Sequence, residues 1–100
     1  MFSFGFFDKP TYRPMFYYDG CLYADVMSLD KNITENMQYL GTINDAVPST
    51  TKPTKNFQAN SEAYLMCKLY IDENGTIFIV LKNGKALKTE IIDLNNSQLP

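Results

Sequence analysis

Three dipeptides that end in glycine constrain the fold of this chain more than any other feature of its sequence. They are Asp19-Gly20, Asn74-Gly75 and Asn83-Gly84, and each is flanked by residues that favour β-strands. Asp-Gly and Asn-Gly between two strands are typical of two-residue type I′ turns, because both turn positions need a positive φ. The sequence therefore predicts three β-hairpins.

The position of each dipeptide also predicts which residues pair, because the residues on either side of a two-residue turn face each other. At Asn74-Gly75 this rule pairs Leu69 with Val80, and at Asn83-Gly84 it pairs Val80 with Leu87. The two hairpins thus join into a three-stranded meander. Since side chains alternate between faces, we predict one core-facing side, formed by Cys67, Leu69, Ile71, Phe78, Val80, Leu87 and Ile91.

The same rule applied to the first hairpin pairs Tyr17 with Leu22 and Phe16 with Tyr23 across Asp19-Gly20. Downstream of this hairpin the pattern is weaker. Over 25–38 apolar residues recur at helical spacing, but asparagine and threonine weaken any helix, so we predict one or two irregular turns.

The middle of the chain is predicted to hold a short strand and then a long loop. The strand covers 39–43, which reads Tyr-Leu-Gly-Thr-Ile. Residues 48–62 are rich in Ser, Thr, Lys, Pro and Asn, with Phe57 as the one large apolar side chain. Long loops are uncommon inside compact domains and are often functional, so this loop is the first place to look for a site.

Length and composition place these elements in one domain. A chain of 100 residues with 45% hydrophobic and 14% aromatic residues can build a single core without metals or disulfides. We predict one domain over 1–100, with an extended lead-in over 1–13. The expected fold is all-β and mainly antiparallel, a small barrel or curled sheet built from hairpins.

Charge and residue content exclude several functional classes. The net charge is -2 and Arg13 is the sole arginine, so a basic face for nucleic acid is not expected. No apolar stretch is long enough to span a bilayer, and we expect membrane attachment only through an anchor outside this chain. The chain has no histidine and two distant cysteines, Cys21 and Cys67, so no metal or cofactor is predicted.

The residue content also argues against catalysis. General acid-base chemistry at neutral pH most often uses histidine, which is absent, and the isolated glycines form no phosphate-binding loop. We therefore predict that the protein is not an enzyme. For Cys21 and Cys67 we predict unpaired thiols, with one disulfide between them as the alternative.

Candidate binding residues lie in the long loop and the first hairpin. Asn56, Gln58 and Asn60 alternate around Phe57, a pattern that no ordinary turn requires. Their amides either clamp the loop to neighbouring backbone groups or bind a ligand, and both readings stay open. Tyr17 and Tyr18 of the first hairpin are further candidate contacts. Exposed tyrosines favour partner binding.

Short segments spread over most of the chain match a pattern seen in other proteins. They are Pro14-Met15, Asp19-Gly20-Cys21-Leu22-Tyr23, Leu40-Gly41-Thr42-Ile43, Val47-Pro48-Ser49, the PTKNFQAN stretch over 53–60, Asn74-Gly75-Thr76-Ile77 and Gly84-Lys85. With them the chain resembles an uncharacterised extracytoplasmic domain of Firmicutes bacteria, found in small lipoproteins and attached to some membrane-anchored sensor peptidases of the BlaR type. Cys21 departs from this pattern, which usually has a polar residue there.

The resemblance implies a location and not an activity, because this family has no settled function. We therefore expect a non-catalytic binding or regulatory module outside the cytoplasmic membrane, with a protein or a cell-envelope ligand as its partner. The alternative is a small cytosolic inhibitor or immunity-like protein that binds a protein partner.

Overall fold

The computed structural model describes residues 11–31 and 35–92, without the side chains of 27–31. The part of the chain that it describes contains eight strands and one 3-10 turn at Glu62–Tyr64. The strands are β1 (Phe16–Tyr18), β2 (Cys21–Lys31), β3 (Gln38–Thr42), β4 (Asp45–Ala46), β5 (Gln58–Ala59), β6 (Lys68–Ile71), β7 (Ile77–Val80) and β8 (Ala86–Ile92).

The strands form one curled half-barrel sheet in the order β3-β6-β7-β8-β2-β1-β5-β4. All neighbours are antiparallel except β4 and β5, which are parallel. The predicted fold class, an all-β and mainly antiparallel curled sheet with a C-terminal meander, is confirmed.

The two ends of the sheet order, β3 and β4, are nearly consecutive in sequence and are joined by Ile43 and Asn44. Ile43 N–H donates to the Cys67 carbonyl (2.9 Å), and Cys67 immediately precedes β6. Asn44 N–H donates to the Phe57 carbonyl (3.0 Å), which precedes β5. One chain segment is therefore hydrogen-bonded to both ends of the sheet, and this brings β5 and β6 towards each other and curls the sheet.

The first hairpin has the predicted register and turn. Tyr17 pairs with Leu22, and Phe16 pairs with Tyr23. Both turn residues have positive φ, as a type I′ turn requires: 52° at Asp19 and 84° at Gly20. The dipeptide therefore predicted both the turn and the register of this hairpin.

In the meander the predicted register is wrong by one residue. Leu69 pairs with Ile79, where Val80 was predicted, and Val80 pairs with Ala86, where Leu87 was predicted. The predicted core side therefore grouped Leu69 and Leu87 with the wrong face of β7, the face that carries Phe78 and Val80. Leu69 and Ile79 are fully buried on the inner face, whereas Val80 is half-buried on the other.

The error arises because the turn between β6 and β7 has three residues and not two. Asp72 N–H donates to the Thr76 carbonyl (3.0 Å) and Gly75 N–H to the Asp72 carbonyl (3.1 Å), with a positive φ at Gly75 but not at Asn74. The Asp72 side chain accepts from the N–H groups of Asn74 and Thr76, both at 2.9 Å. This side chain favours a type I turn followed by a glycine bulge.

The turn between β7 and β8 shifts in the same way. Leu81 N–H donates to the Lys85 carbonyl (2.8 Å), and the Gly84 N–H donates back to the Leu81 carbonyl (2.8 Å). The Asn83 Oδ1 atom accepts from the Lys85 N–H (3.0 Å), which stabilises the longer turn. In both C-terminal turns a side chain of the turn therefore accepts a hydrogen bond from the backbone, and this bond favours three turn residues over two.

The core lies on the concave face of the sheet. It consists of Phe16, Ile43, Ala59, Tyr64, Cys67, Leu69, Ile77 and Ile79. Two of the predicted core residues, Cys67 and Leu69, belong to it, and Ile71 and Leu87 pack against it. Ile91 was predicted to be buried but is 58% exposed.

Three further predictions are corrected or refined. Over 25–38 the predicted irregular turns are replaced in part by β2, which continues to Lys31 because β8 pairs with it, although the register shifts between Asp25 and Asp30. Residues 32–34 and 1–10 lie outside the described part of the chain. The loop predicted over 48–62 contains the short strand β5 and the first residue of the 3-10 turn.

Cys21 and Cys67 are unpaired, as predicted. Cys67 is 2% exposed, and its thiol donates to the Ala63 carbonyl (3.3 Å). Burial raises the pKa of this thiol, which keeps it protonated and unreactive.

Candidate functional site

The feature that creates the site is the end of the short strand β5. β5 ends level with its neighbours β1 and β4, but the chain segments that adjoin them, before Phe16 and after Ala46, continue past its end. Asn60 N–H donates to the Met15 carbonyl (3.2 Å) on one side, and Val47 N–H donates to the Ala59 carbonyl (2.7 Å) on the other. After Asn60 the chain leaves the sheet and enters the 3-10 turn at Glu62. A recess therefore remains beyond the end of β5, between the segments 12–14 and 47–49, which converge at Tyr12 and Ser49.

This recess is a cavity of about 540 Å³, which we call the slot. Its volume falls within the range of about 300–1,000 Å³ that is usual for small-ligand sites. The slot is lined by Tyr12, Pro14, Ala46, Val47, Pro48, Ser49, Asn60, Ser61 and Glu62.

The walls of the slot are held in place by backbone hydrogen bonds. Tyr12 N–H donates to the Ser49 carbonyl (2.8 Å), which joins the two walls beyond the end of β5. Thr51 N–H donates to the Pro48 carbonyl (2.9 Å), which forms a turn next to one wall. Because the walls are tied to each other, the shape of the slot does not depend on a ligand.

The lining is mainly apolar and has few hydrogen-bond donors. Pro14 on one wall and Pro48 on the other have no N–H group, so neither can donate to an inserted chain. Ala46 and Val47 add aliphatic surface. Among the described residues that line the slot, Glu62 alone is charged.

Asn60 forms the floor of the slot and is one of the residues predicted for a site. It is 2% exposed. Its Oδ1 atom accepts from the Met15 N–H (2.8 Å), and its Nδ2 atom donates to the Arg13 carbonyl (3.1 Å). Its amide is therefore occupied in tying the end of β5 to the wall that carries Pro14.

The other two predicted amides also form hydrogen bonds within the chain. Gln58 Oε1 accepts from the Thr54 N–H (2.8 Å), and Gln58 Nε2 donates to Asp45 Oδ2 (2.7 Å). Asn56 Oδ1 accepts from the Asp19 N–H (2.7 Å). Of the two readings of this pattern, the contacts favour the clamp, because these amide oxygens already accept bonds from the chain.

The aromatic residues proposed as contacts lie away from the slot. Phe57 has a φ of 66°, and its ring packs against Tyr18 (centroid distance 5.5 Å) and over Gly41. Tyr17 and Tyr18 are half-buried in β1, and neither lines the slot. Phe57 therefore pins the loop to β3 and the first hairpin.

Of the six residues predicted for a site, only Asn60 lines the slot, although the predicted loop 48–62 supplies five of its nine lining residues. Tyr12 and Val47 carry no motif, and they meet the loop only because β1, β4 and β5 are neighbours. A further signal was the pair Pro14 and Pro48, since a proline next to a strand marks a place where pairing stops.

Behind the slot, the wall at 12–14 and the 3-10 turn are both attached to Asp25 of β2. Tyr64, two residues after Glu62, donates its hydroxyl to Asp25 Oδ2 (2.6 Å), and Arg13 Nη2 donates to the Asp25 carbonyl (2.8 Å). Burial, together with this hydrogen bond, raises the pKa of Tyr64 above its usual range, so the hydroxyl remains a donor at neutral pH. Asp25 Oδ1 is buried and accepts no hydrogen bond from the described residues.

The described parts of the chain contain neither a cluster suited to a metal ion nor a membrane-spanning helix. Over 11–31 and 35–92, no group of three or more His, Cys, Asp or Glu side chains is placed to hold a metal ion. Within the same ranges, no helix has the length and apolar character needed to cross a membrane.

If the amides clamp the loop, removing a buried amide should destabilise the protein more than removing an exposed one. Asn60→Ala should lower the free energy of unfolding by about 1–3 kcal/mol, because it leaves the buried Met15 N–H without its partner. Asn56→Ala serves as the control: the residue is exposed, so water can replace the lost bond and the change should be below about 1 kcal/mol. Urea denaturation of both variants measures the difference. Equal stability of Asn60→Ala and the unmodified protein would contradict the clamp.

Comparison of the chain with known protein families, with curated proteins and with solved structures gives no match.

Proposed function

We propose that this protein is a non-catalytic binding module and that its slot takes up a short peptide segment of a protein partner. The observation that carries the proposal is the recess beyond the end of β5, whose walls at 12–14 and 47–49 are joined by the Tyr12–Ser49 hydrogen bond and are lined by apolar side chains. The slot is preformed, which lowers the entropy lost on binding.

The lining supports a peptide over a carbohydrate. Sugars need many free hydrogen-bonding groups, whereas both ends of the Asn60 amide bond the chain and Ser61 Oγ accepts from the Ala63 N–H (3.2 Å). The hydroxyls of Tyr12, Ser49 and Ser61 are then the side-chain donors among the described residues that line the slot. The aliphatic and proline surface instead suits apolar side chains. Because Pro14 and Pro48 cannot donate, the peptide is held mainly through its side chains and not through a regular strand ladder.

The concave shape also bears on the alternative of a small inhibitor. An inhibitor commonly inserts a protruding segment into its target, whereas this protein offers a recess that receives a segment. The recess favours the binding module. The location outside the cytoplasmic membrane is proposed on the resemblance to the extracytoplasmic domain.

The proposal is tested by adding an array of synthetic pentapeptides to the ¹⁵N-labelled protein and following amide chemical shifts. The array contains apolar, acidic, basic and proline-containing sequences, with chito- and gluco-oligosaccharides as the carbohydrate arm. We expect at least one class of peptide to shift the amides of Val47, Ser49 and Asn60.

Two alanine-to-leucine variants distinguish binding in the slot from binding elsewhere, because both add the same volume at different places. Ala46→Leu fills part of the slot and should abolish the shifts, whereas Ala63→Leu changes an exposed alanine that does not line it and should preserve them. Shifts from oligosaccharides alone, or peptide binding unaffected by Ala46→Leu, would contradict the proposal.

A further inference from the structure

We infer that the slot selects ligands in which an apolar body carries a positively charged group, and that Glu62 is the residue that selects the charge. This inference rests on the proposed function and names the class of peptide: one with a free amino terminus, a lysine or an arginine next to an apolar side chain.

The first observation is the unused carboxylate of Glu62. The residue is exposed at the start of the 3-10 turn and lines the slot. No residue in the described part of the chain forms a hydrogen bond or an ion pair with this carboxylate. Lys82 Nζ contacts the Glu62 backbone carbonyl (3.4 Å), so that cation is held on the backbone side of the turn.

The second observation is that the other charged groups around the slot have partners within the protein. Asp45 Oδ2 accepts from Gln58 Nε2 (2.7 Å). Arg13 Nη2 donates to the Asp25 carbonyl, and Lys52 Nζ lies 5.2 Å from the centroid of the Tyr12 ring. Among the described residues that line the slot, Glu62 is therefore the charge that is left to meet a ligand, and its negative sign favours a cation.

The third observation is the apolar surface beside that charge. Val47, Pro48 and Pro14 line the same cavity as Glu62. A ligand that carries both an apolar group and a cation can satisfy both parts of the lining at once. A purely polar cation leaves the apolar walls uncovered, and an acidic ligand is repelled by Glu62.

The experiment uses two small probes of nearly the same shape. Phenethylamine has a phenyl ring and an ammonium group, and 2-phenylethanol has the same ring with a neutral hydroxyl. Each is titrated into the full ¹⁵N-labelled chain at low ionic strength, and the slot amides report the Kd. We expect phenethylamine to bind about two- to fivefold more tightly, as an exposed ion pair allows, and the difference to shrink in high salt.

A matched pair of variants assigns this preference to Glu62. Glu62→Gln should remove the preference for the amine while leaving 2-phenylethanol binding unchanged. Glu73→Gln removes the same charge from an exposed residue in the turn between β6 and β7, outside the slot, and should preserve the preference.

Three outcomes would overturn the inference. Equal binding of the two probes shows an apolar slot without charge selection, which leaves the proposed function standing. If Glu62→Gln still binds phenethylamine more tightly than 2-phenylethanol, a group other than Glu62 recognises the cation. Binding of neither probe excludes this ligand class, and the pentapeptide array then decides the proposed function independently.

Discussion

Gly41→Ala is expected to lower the free energy of unfolding by about 3 kcal/mol or more, through steric overlap and backbone strain together. A Cβ atom at position 41 would lie 2.5 Å from two carbons of the Phe57 ring. The φ of Gly41 is +154°, a value that L side chains rarely adopt. The ring cannot retreat easily, because it also packs against Tyr18. Urea denaturation measures the loss.

Gly75→Ala is the matched control for this substitution. Gly75 has a φ of +85°, but nothing lies within 4 Å of the position of an added Cβ. The control should therefore show the backbone effect alone, about 1–2 kcal/mol. A second test repeats Gly41→Ala in a Phe57→Ala background, where the steric part should disappear. An equal loss at Gly41 with and without the ring would show that the overlap is not the cause.

Ile79→Ala is expected to lower the free energy of unfolding by about 2–5 kcal/mol, because it removes a fully buried side chain from the core and leaves a cavity. Ile79 faces Leu69 on β6 and Leu87 on β8. Val80→Ala, one residue further on and half-buried on the opposite face, should cost less. Chemical denaturation of the two variants compares them directly.

This pair of substitutions also tests the register of the meander. If the turns between the last three strands had two residues, as the Asn-Gly dipeptides predict, Val80 would lie in the core and Ile79 outside it. A larger loss from Val80→Ala than from Ile79→Ala would therefore support the two-residue turns and contradict the observed pairing.

The slot shows why a binding site can be hard to predict even where the local structure is not. The long loop was predicted as the place to look, and its middle instead forms the contacts that hold it, through Asn56, Phe57 and Gln58. The ends of the loop line the slot, at 48–49 and 60–62. They meet 12–14 only because β5 is inserted between β1 and β4, and sheet order depends on long-range pairing.

The sequence by itself determined the class of the fold, the positions of the three hairpins and the register of the first. These depend on local preferences: Asp19-Gly20 adopts a positive φ at both positions. The register of β7 also has a local cause, which the Asn-Gly dipeptides do not indicate: Asp72 and Asn83 bond the backbone and lengthen the two later turns. The tertiary structure alone decided the length of β2 and the slot. β2 continues because β8 lies beside it, and the slot exists because the chain leaves the sheet after Asn60 while the segments that adjoin β1 and β4 continue.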